Sequence, residues 1–406
     1  MAPLPEGAQM PLDLKPLLDE ATCGLDGVIA LRRAIHAEPE VGTDLPQTQR
    51  KVLDALAGLD LQISLGRRLS SVIATLRGAA PGPTVLLRGD MDALALREQS
   101  GAEFASRYDN KMHACGHDAH TAMLVGAARL LSARRDSLAG AVTFFFQPGE
   151  EGRHGARIAM EEGLLGPPLS PGHAFALHIA PDLPAGSVAT RGGALMAEST
   201  TIRFTVKGRG AHAARPHHSI DPLPAACQAV AALQSLIARE TDLADPAVLS
   251  VTGLRTSSML TNVIPDQVDG VATLRTFGDG DGARLASRAV EVITATAAAM
   301  RASADVEVTP IYPVTRNDTG DARVVLDVAR RLVGPGNTTE MSAPVAGSED
   351  FGYILQEIPG ALAFLGVGKE GEEPMELHSP RLRIDERAMA VGVAMHAAVA
   401  MELLAK

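Results

Sequence analysis

The chain has 406 residues, 46% of them apolar, and a formal net charge of −11. That length accommodates two domains around a large core, and that apolar content excludes a disordered chain. The acidic balance excludes nucleic acid and anionic membrane surfaces as partners. The first half then alternates helices and strands. Residues 11–37 read as a helix, with Leu12, Leu14, Leu17 and Leu18 leading into Leu31-Arg32-Arg33-Ala34-Ile35, and 46–59 as another. Thr84-Val85-Leu86-Leu87 is a short continuous apolar run, as expected of a strand covered on both faces. The spacing predicts a helix over 120–133, with Asp118 as its N-cap. Phe144–Phe146 and Ala174–Leu177 are further buried strands.

The pattern changes after Gly192-Gly193. Residues 201–207 alternate apolar and polar with period two, the mark of a half-buried strand. A helix over 221–238, strands near 248–251 and 268–275, a helix over 282–302 and a strand over 305–310 follow. The order β-α-β-β-α-β is ferredoxin-like. A helix (322–332), a strand (361–367) and a helix (385–404) then resume the first pattern. The expected fold is α/β: a mixed, mostly parallel sheet with helices on both faces, carrying an inserted ferredoxin-like α+β lid domain. The expected boundaries are 1–194 and 313–406 for the discontinuous catalytic domain and 195–312 for the insertion.

No apolar run approaches the ~18–20 residues of a membrane span. The first residues, Met1 to Gly7, lack the basic and apolar regions of a signal peptide. Three scattered cysteines make no disulfide framework. A cytoplasmic protein is expected. Cys23 and Cys227 lie in helix-like stretches and are expected to be buried small hydrophobes. Cys115 differs, because its neighbours are polar.

Ligands of parallel sheets gather beyond the carboxyl ends of the strands, and polar residues collect there. Asp90 and Asp92 follow one apolar run, Glu150 and Glu151 another, and His178 ends a third. Cys115-Gly116-His117 adds a thiol and an imidazole on one tight loop. Thiolate, imidazole and carboxylate are the donors that zinc and similar ions take. A second Glu beside a ligand Glu suits a general base, since one carboxylate cannot easily hold a metal and shuttle protons. Asp90 also reads as a turn or cap residue.

Five segments occur in a telling order: Met112-His113-Ala114-Cys115-Gly116-His117-Asp118-Ala119-His120, Gln147-Pro148-Gly149-Glu150-Glu151-Gly152, His178, Gly208-Arg209-Gly210-Ala211-His212-Ala213 and Leu377-His378-Ser379-Pro380. Together they closely resemble the hippurate hydrolase and auxin-conjugate amidohydrolase family, part of the wider aminoacylase and carboxypeptidase group of dinuclear metallohydrolases. The resemblance spans nearly the whole chain. It implies that Cys115, His117, Glu151, His178 and His378 hold two divalent metal ions per subunit, manganese, zinc, cobalt or nickel. Glu150 would be the general base, and Asp92 would orient a ligand imidazole. Ala95 and Gly149 stand where this family usually has Pro and Ala.

The resemblance also implies that His212 hydrogen-bonds the developing oxyanion, often from a neighbouring subunit. Asn262 and Arg275 would contact the substrate backbone or carboxylate. His217 and His218 carry no role and are expected in solvent. The reading is a metal-dependent amidohydrolase of N-acyl amino acids, hippurate-like, N-acetyl or related, acting as a homodimer or higher homo-oligomer. A dipeptidase or carboxypeptidase of the same group is the alternative, and a silent binding protein with this fold is the remaining one.

Overall fold

A computed structural model of the chain describes residues 14–242 and 245–406. The first residues and the expected helix start at 11–13 lie outside them. The chain divides into two compact units. The first takes the chain as far as Gly193, then Asn317–Ser342 and Ile354–Lys406, and the second is Ala194–Arg316 with Ala343–Tyr353. The sequence reading leaves 343–353 with the catalytic domain. In the structure the Gly347 carbonyl accepts the Ala197 N–H at 2.8 Å, which ties that segment into the second unit.

The first unit is built on an eight-stranded mixed sheet. Its strands run in space Gln62–Leu65, Val72–Arg77, Ala139–Gln147, Ala80–Asp90, His173–Pro184, Gly360–Gly368, Val188–Thr190 and Thr338–Glu340. The four central strands are mutually parallel, and antiparallel pairing enters on both sides of them. Val142–Phe146, Val85–Asp90 and Ala174–Ile179 are buried without interruption, as strands covered by helices on both faces must be. Burying each of Phe144, Phe145 and Phe146 contributes roughly 1.5–3 kcal/mol.

Several expected elements shift. The helix read over 11–37 is two, Lys15–Cys23 and Leu25–His36, broken at Gly24. The helix read from 120 is His117–Ser132, and Gly116, not Asp118, is its N-cap. Asp118 turns inward, where its Oδ2 accepts from Arg32 Nε and His36 Nδ1, both at 2.8 Å. Cys23 and Cys227 lie on helices as expected but on their solvent faces, so both thiols are exposed. Glu386–Leu404 is 19 residues long with mean hydropathy 1.4, within the length of a membrane span. Of its most apolar stretch 78% is buried inside the fold, so it reads as a core helix.

The second unit carries the four-stranded antiparallel sheet Val248–Thr256, Gln267–Thr276, Glu198–Lys207, Ser303–Tyr312. With helices Pro222–Glu240 and Asp281–Ala299 it has the ferredoxin-like order. Ile202, Phe204 and Val206 alternate along the central strand and bury against Ala225, Leu233, Leu285, Ala289 and Ile293 of the helices.

Candidate active site

Three neighbouring parallel strands bring the site together in the first unit. Register pairs Asp90 with Gln147 and Arg88 with Ala176, which puts His178 level with Asp90. His178 lies within the strand His173–Pro184 and not at its end, but beyond the residues paired to Ala80–Asp90. Glu150 and Glu151 follow the Ala139–Gln147 strand. Gly116, with φ +85°, makes the left-handed turn that starts the His117 helix with Cys115 just before it.

The donor atoms converge. Cys115, His117 and His178 offer ligand atoms within 4.8 Å of one another, as do Cys115, Glu151 and His378, and also His117, Glu150 and Glu151. Cys115 Sγ lies 3.4 Å from His178 Nε2, and His378 Nε2 lies 3.3 Å from Glu151 Oε1. Cys115, His117, Glu150 and His178 are buried, whereas His378 is exposed.

The imidazoles are oriented by their far nitrogens. His117 Nδ1 donates to the Asp92 carbonyl at 2.8 Å, and His178 Nδ1 donates to the Ile179 carbonyl at 2.8 Å. A carbonyl only accepts, so each Nδ1 carries a proton and each Nε2 is the nitrogen left facing the other donors. His117 Nε2 is buried and makes no hydrogen bond. Such second-sphere anchoring accompanies metal-ligating histidines, and this donor set fits a borderline divalent cation. Asp92 does more than expected. It holds His117 through its carbonyl, while its carboxylate receives the amides of Glu150 at 2.9 Å and Glu151 at 3.0 Å, one on each oxygen.

Burial and neighbouring charge together set the charge states of the protein groups, and at His117 burial is outweighed by Asp90 and Cys115, which raise it well above its ordinary value. Burial pushes the Cys115 thiol up to about 12, so the protein alone keeps it a neutral thiol and a poor nucleophile. Burial, with His120 beside it, pushes His178 down to about 3 and leaves it neutral. Burial opposes charge on Asp90 too, but Arg88 and the neighbouring imidazoles hold its carboxyl well below the usual range.

Sequence reasoning assigned no role to Arg88, His120, Arg32 or His36. A charged residue directly after Val85-Leu86-Leu87 in a fully buried strand was the available signal for Arg88. Asp90 is no turn or cap residue, being fully buried at a strand end with Arg88 Nη1 at 2.5 Å and His120 Nδ1 at 2.6 Å.

His212, Asn262 and Arg275 belong to the second unit. His212 pairs across a two-stranded ribbon with Val263, and the Ala213 N–H donates to the Asn262 carbonyl at 2.9 Å, so His212 and Asn262 are neighbours. Both are exposed. His212 Nδ1 accepts the Ala214 N–H at 3.0 Å, which leaves Nε2 as its outward donor. Arg275 is half-buried on the Gln267–Thr276 strand and donates to Ser348 Oγ at 2.8 Å. His217 and His218 are exposed.

Residues 86–402 match the model of peptidase family M20/M25/M40. The chain is 36% identical over 384 residues to the IAA-amino acid hydrolase ILR1-like 4 of Arabidopsis thaliana, covering 93% of this chain and 86% of that protein. It is 36% identical over 378 residues to the N-acetylcysteine deacetylase of Bacillus subtilis, covering 93% of this chain and 97% of that one. Among solved structures it resembles the Bacillus subtilis YXEP protein, a dinuclear metal binding peptidase from the M20 family. The TM-score is 0.81 at 33% identity, covering 94% of this chain and 99% of that one.

Proposed function

This chain belongs to peptidase family M20/M25/M40 and is a metal-dependent amidohydrolase; we propose that it splits N-acyl amino acids into a carboxylic acid and a free amino acid. Two relatives similar over nearly the whole chain act on such conjugates by name. The observation that carries the reading is the pair of buried Nε2 atoms of His117 and His178, turned toward Cys115 and the two glutamates.

We assign Cys115, His117, Glu151, His178 and His378 as ligands of two divalent ions, zinc, cobalt, manganese or nickel. Such ions, when bound, supply Lewis acidity and make hydroxide available near neutral pH. Glu151 shares donor groups with Cys115 and His378, whereas Glu150 does not. Glu150, grouped with His117 and Glu151 but with neither Cys115 nor His378, is assigned to take the proton of the attacking water and return it to the leaving amine. Asp92 positions both glutamates through their amides and His117 through its carbonyl. His212 donates to the oxyanion, and Asn262 and Arg275 bind the amino-acid portion, the guanidinium pairing with its carboxylate.

We further assign a homodimer in which residues 195–312 form the lid and dimerisation domain. Met259 and Leu260 are 89% and 67% exposed on the segment that carries Asn262, the kind of apolar surface a partner covers. Exposed thiols at Cys23 and Cys227 support the reducing cytoplasm.

A peptidase reading is favoured by the solved neighbour, itself a peptidase. Protein reconstituted with manganese, zinc or cobalt, assayed on N-acetyl, hippuryl and indole-acyl amino acids and on dipeptides, decides between them. Faster turnover of the N-acyl set is expected. Preference for dipeptides with free amino termini would replace this proposal with the dipeptidase reading.

A further inference from the structure

The ligand set leaves four buried polar side chains beside it without a role: Arg88, Asp90, His120 and Gln147. They form one hydrogen-bonded chain. Arg88 Nε donates to Gln147 Oε1 at 2.9 Å and Nη1 donates to Asp90 Oδ2 at 2.5 Å. Asp90 Oδ1 accepts from His120 Nδ1 at 2.6 Å, and His120 Nε2 accepts the backbone N–H of Ile179 at 2.9 Å. An amide only donates, so His120 is the neutral ring with its proton on Nδ1. Its ring centroid lies 4.7 Å from that of His178 and 5.5 Å from that of His117. Its one lone pair is nonetheless committed to backbone, which removes it from the ligand pool.

Ile179 is where this chain meets the ligands. Its amide is held by His120, and its carbonyl accepts the Nδ1 proton of His178. Its side chain fills the space over Gly116, where a Cβ would fall 2.1 Å from Ile179 Cδ1. Gly116 separates Cys115 from His117. One residue thus joins the strand that carries His178 to the loop that carries the other two donors. At the far end, a Cβ on Gly89 would stand 3.0 Å from the His120 carbonyl oxygen. The bare backbone there brings the His117–Ser132 helix close enough for His120 to reach Asp90.

We propose that His120 is a positioning residue for the metal centre, holding the Ile179 peptide so that the Nε2 lone pair of His178 keeps its place against Cys115 and His117, with Asp90 serving to keep the His120 proton on Nδ1. This rests on Cys115, His117 and His178 being ligands. A buried Arg–Asp pair could serve stability alone, and the test separates the two roles.

Two amide variants split the bridge. The Asn amide nitrogen falls near Nδ1 of histidine and the Gln amide oxygen near Nε2. His120→Asn therefore keeps the donor to Asp90 and loses the acceptor for Ile179, while His120→Gln does the reverse. Each full-length protein is stripped of metal and titrated with cobalt(II). The thiolate-to-cobalt absorption, the number of ions bound and their affinities are read, together with the Tm of the metal-free protein. His120→Asn should bind cobalt about 10–100-fold more weakly, with a changed thiolate band, and His120→Gln should stay near wild type. Equal weakening in both, tracking the loss of Tm, would make the chain a stability element and overturn the proposal. Unchanged cobalt binding in His120→Asn would also overturn it. If His120→Asn does not fold, loss of cobalt affinity in His120→Gln overturns it alone. His178→Ala tests the ligand reading separately. Full cobalt binding there, with an ion lost from His120→Gln, would make His120 the ligand.

Discussion

The backbone N–H of His378 donates to the carbonyl of Ala114 at 2.8 Å. That bond ties a histidine 263 positions downstream of Cys115 to the residue just before it, so the exposed and the buried halves of the donor set share one backbone contact. His378 has φ +64°, a conformation that costs most side chains energy and that asparagine tolerates. The proposed ligand is thus held by backbone geometry while its ring stays in solvent.

His378→Asn should keep the turn and remove the donor. Metal content should fall below two ions per subunit, with the metal-free stability changed by no more than about 0.5 kcal/mol, as for other exposed positions. Elemental analysis and urea unfolding of the stripped protein check this. Wild-type metal content in the variant would remove His378 from the ligand set.

Glu150→Gln should leave metal content unchanged and lower kcat by about 10²–10⁴, the usual contribution of a general acid-base group. The Asp92 contact to the Glu150 amide survives, because it is made to backbone. Metal analysis beside steady-state kinetics decides the matter. Loss of an ion together with activity would make Glu150 a ligand.

Much of this site was legible because its donors stand just past apolar runs that read as strands. The less visible parts have physical reasons. Gln62–Leu65 is exposed along its whole length and Val188–Thr190 is three residues long; both are strands through cross-strand pairing, which local sequence does not carry. Asp118 sits where an N-cap would, yet Arg32 and His36, one turn apart on a helix 82 or more residues upstream, draw it inward. Asp92 is expected to orient a ligand imidazole, and it is its carbonyl that accepts from His117 Nδ1; residue type says nothing about a carbonyl. His120 carries no signal of its own in the sequence, because its partners are a carboxylate brought by another strand and a backbone amide.

Stability should also respond to pH through His36. Burial opposes its charge, but the Asp118 carboxylate and hydrogen bonds to Asp118 and Glu98 outweigh burial and the nearby Arg32, raising it to about 9. A group raised in the folded state favours folding while protonated. Its contribution is complete below its ordinary value of 6.5 and is lost as pH climbs through 9. At about 1.4 kcal/mol per pH unit, the loss is at most about 3.5 kcal/mol. Urea midpoints of stripped wild-type and His36→Gln protein from pH 6 to 10 should converge as pH rises. A constant gap would mean that His36 is neutral in the fold.

The dimer assignment predicts complementation between two inactive proteins. Glu150→Gln lacks the base and His212→Ala lacks the oxyanion donor, so each homodimer should be nearly silent. If His212 serves the partner's site, a mixed dimer regains one intact site, built from Glu150 of one protomer and His212 of the other. Random exchange of equal amounts makes half the dimers mixed, so activity should recover to about one quarter of wild type per subunit. If His212 serves its own chain, every site in the mixture lacks one group and nothing recovers. Exchange is verified by mass spectrometry of differently tagged protomers. Silence despite verified exchange would place His212 in its own protomer's site or outside catalysis, while partial recovery would establish active sites shared between two chains.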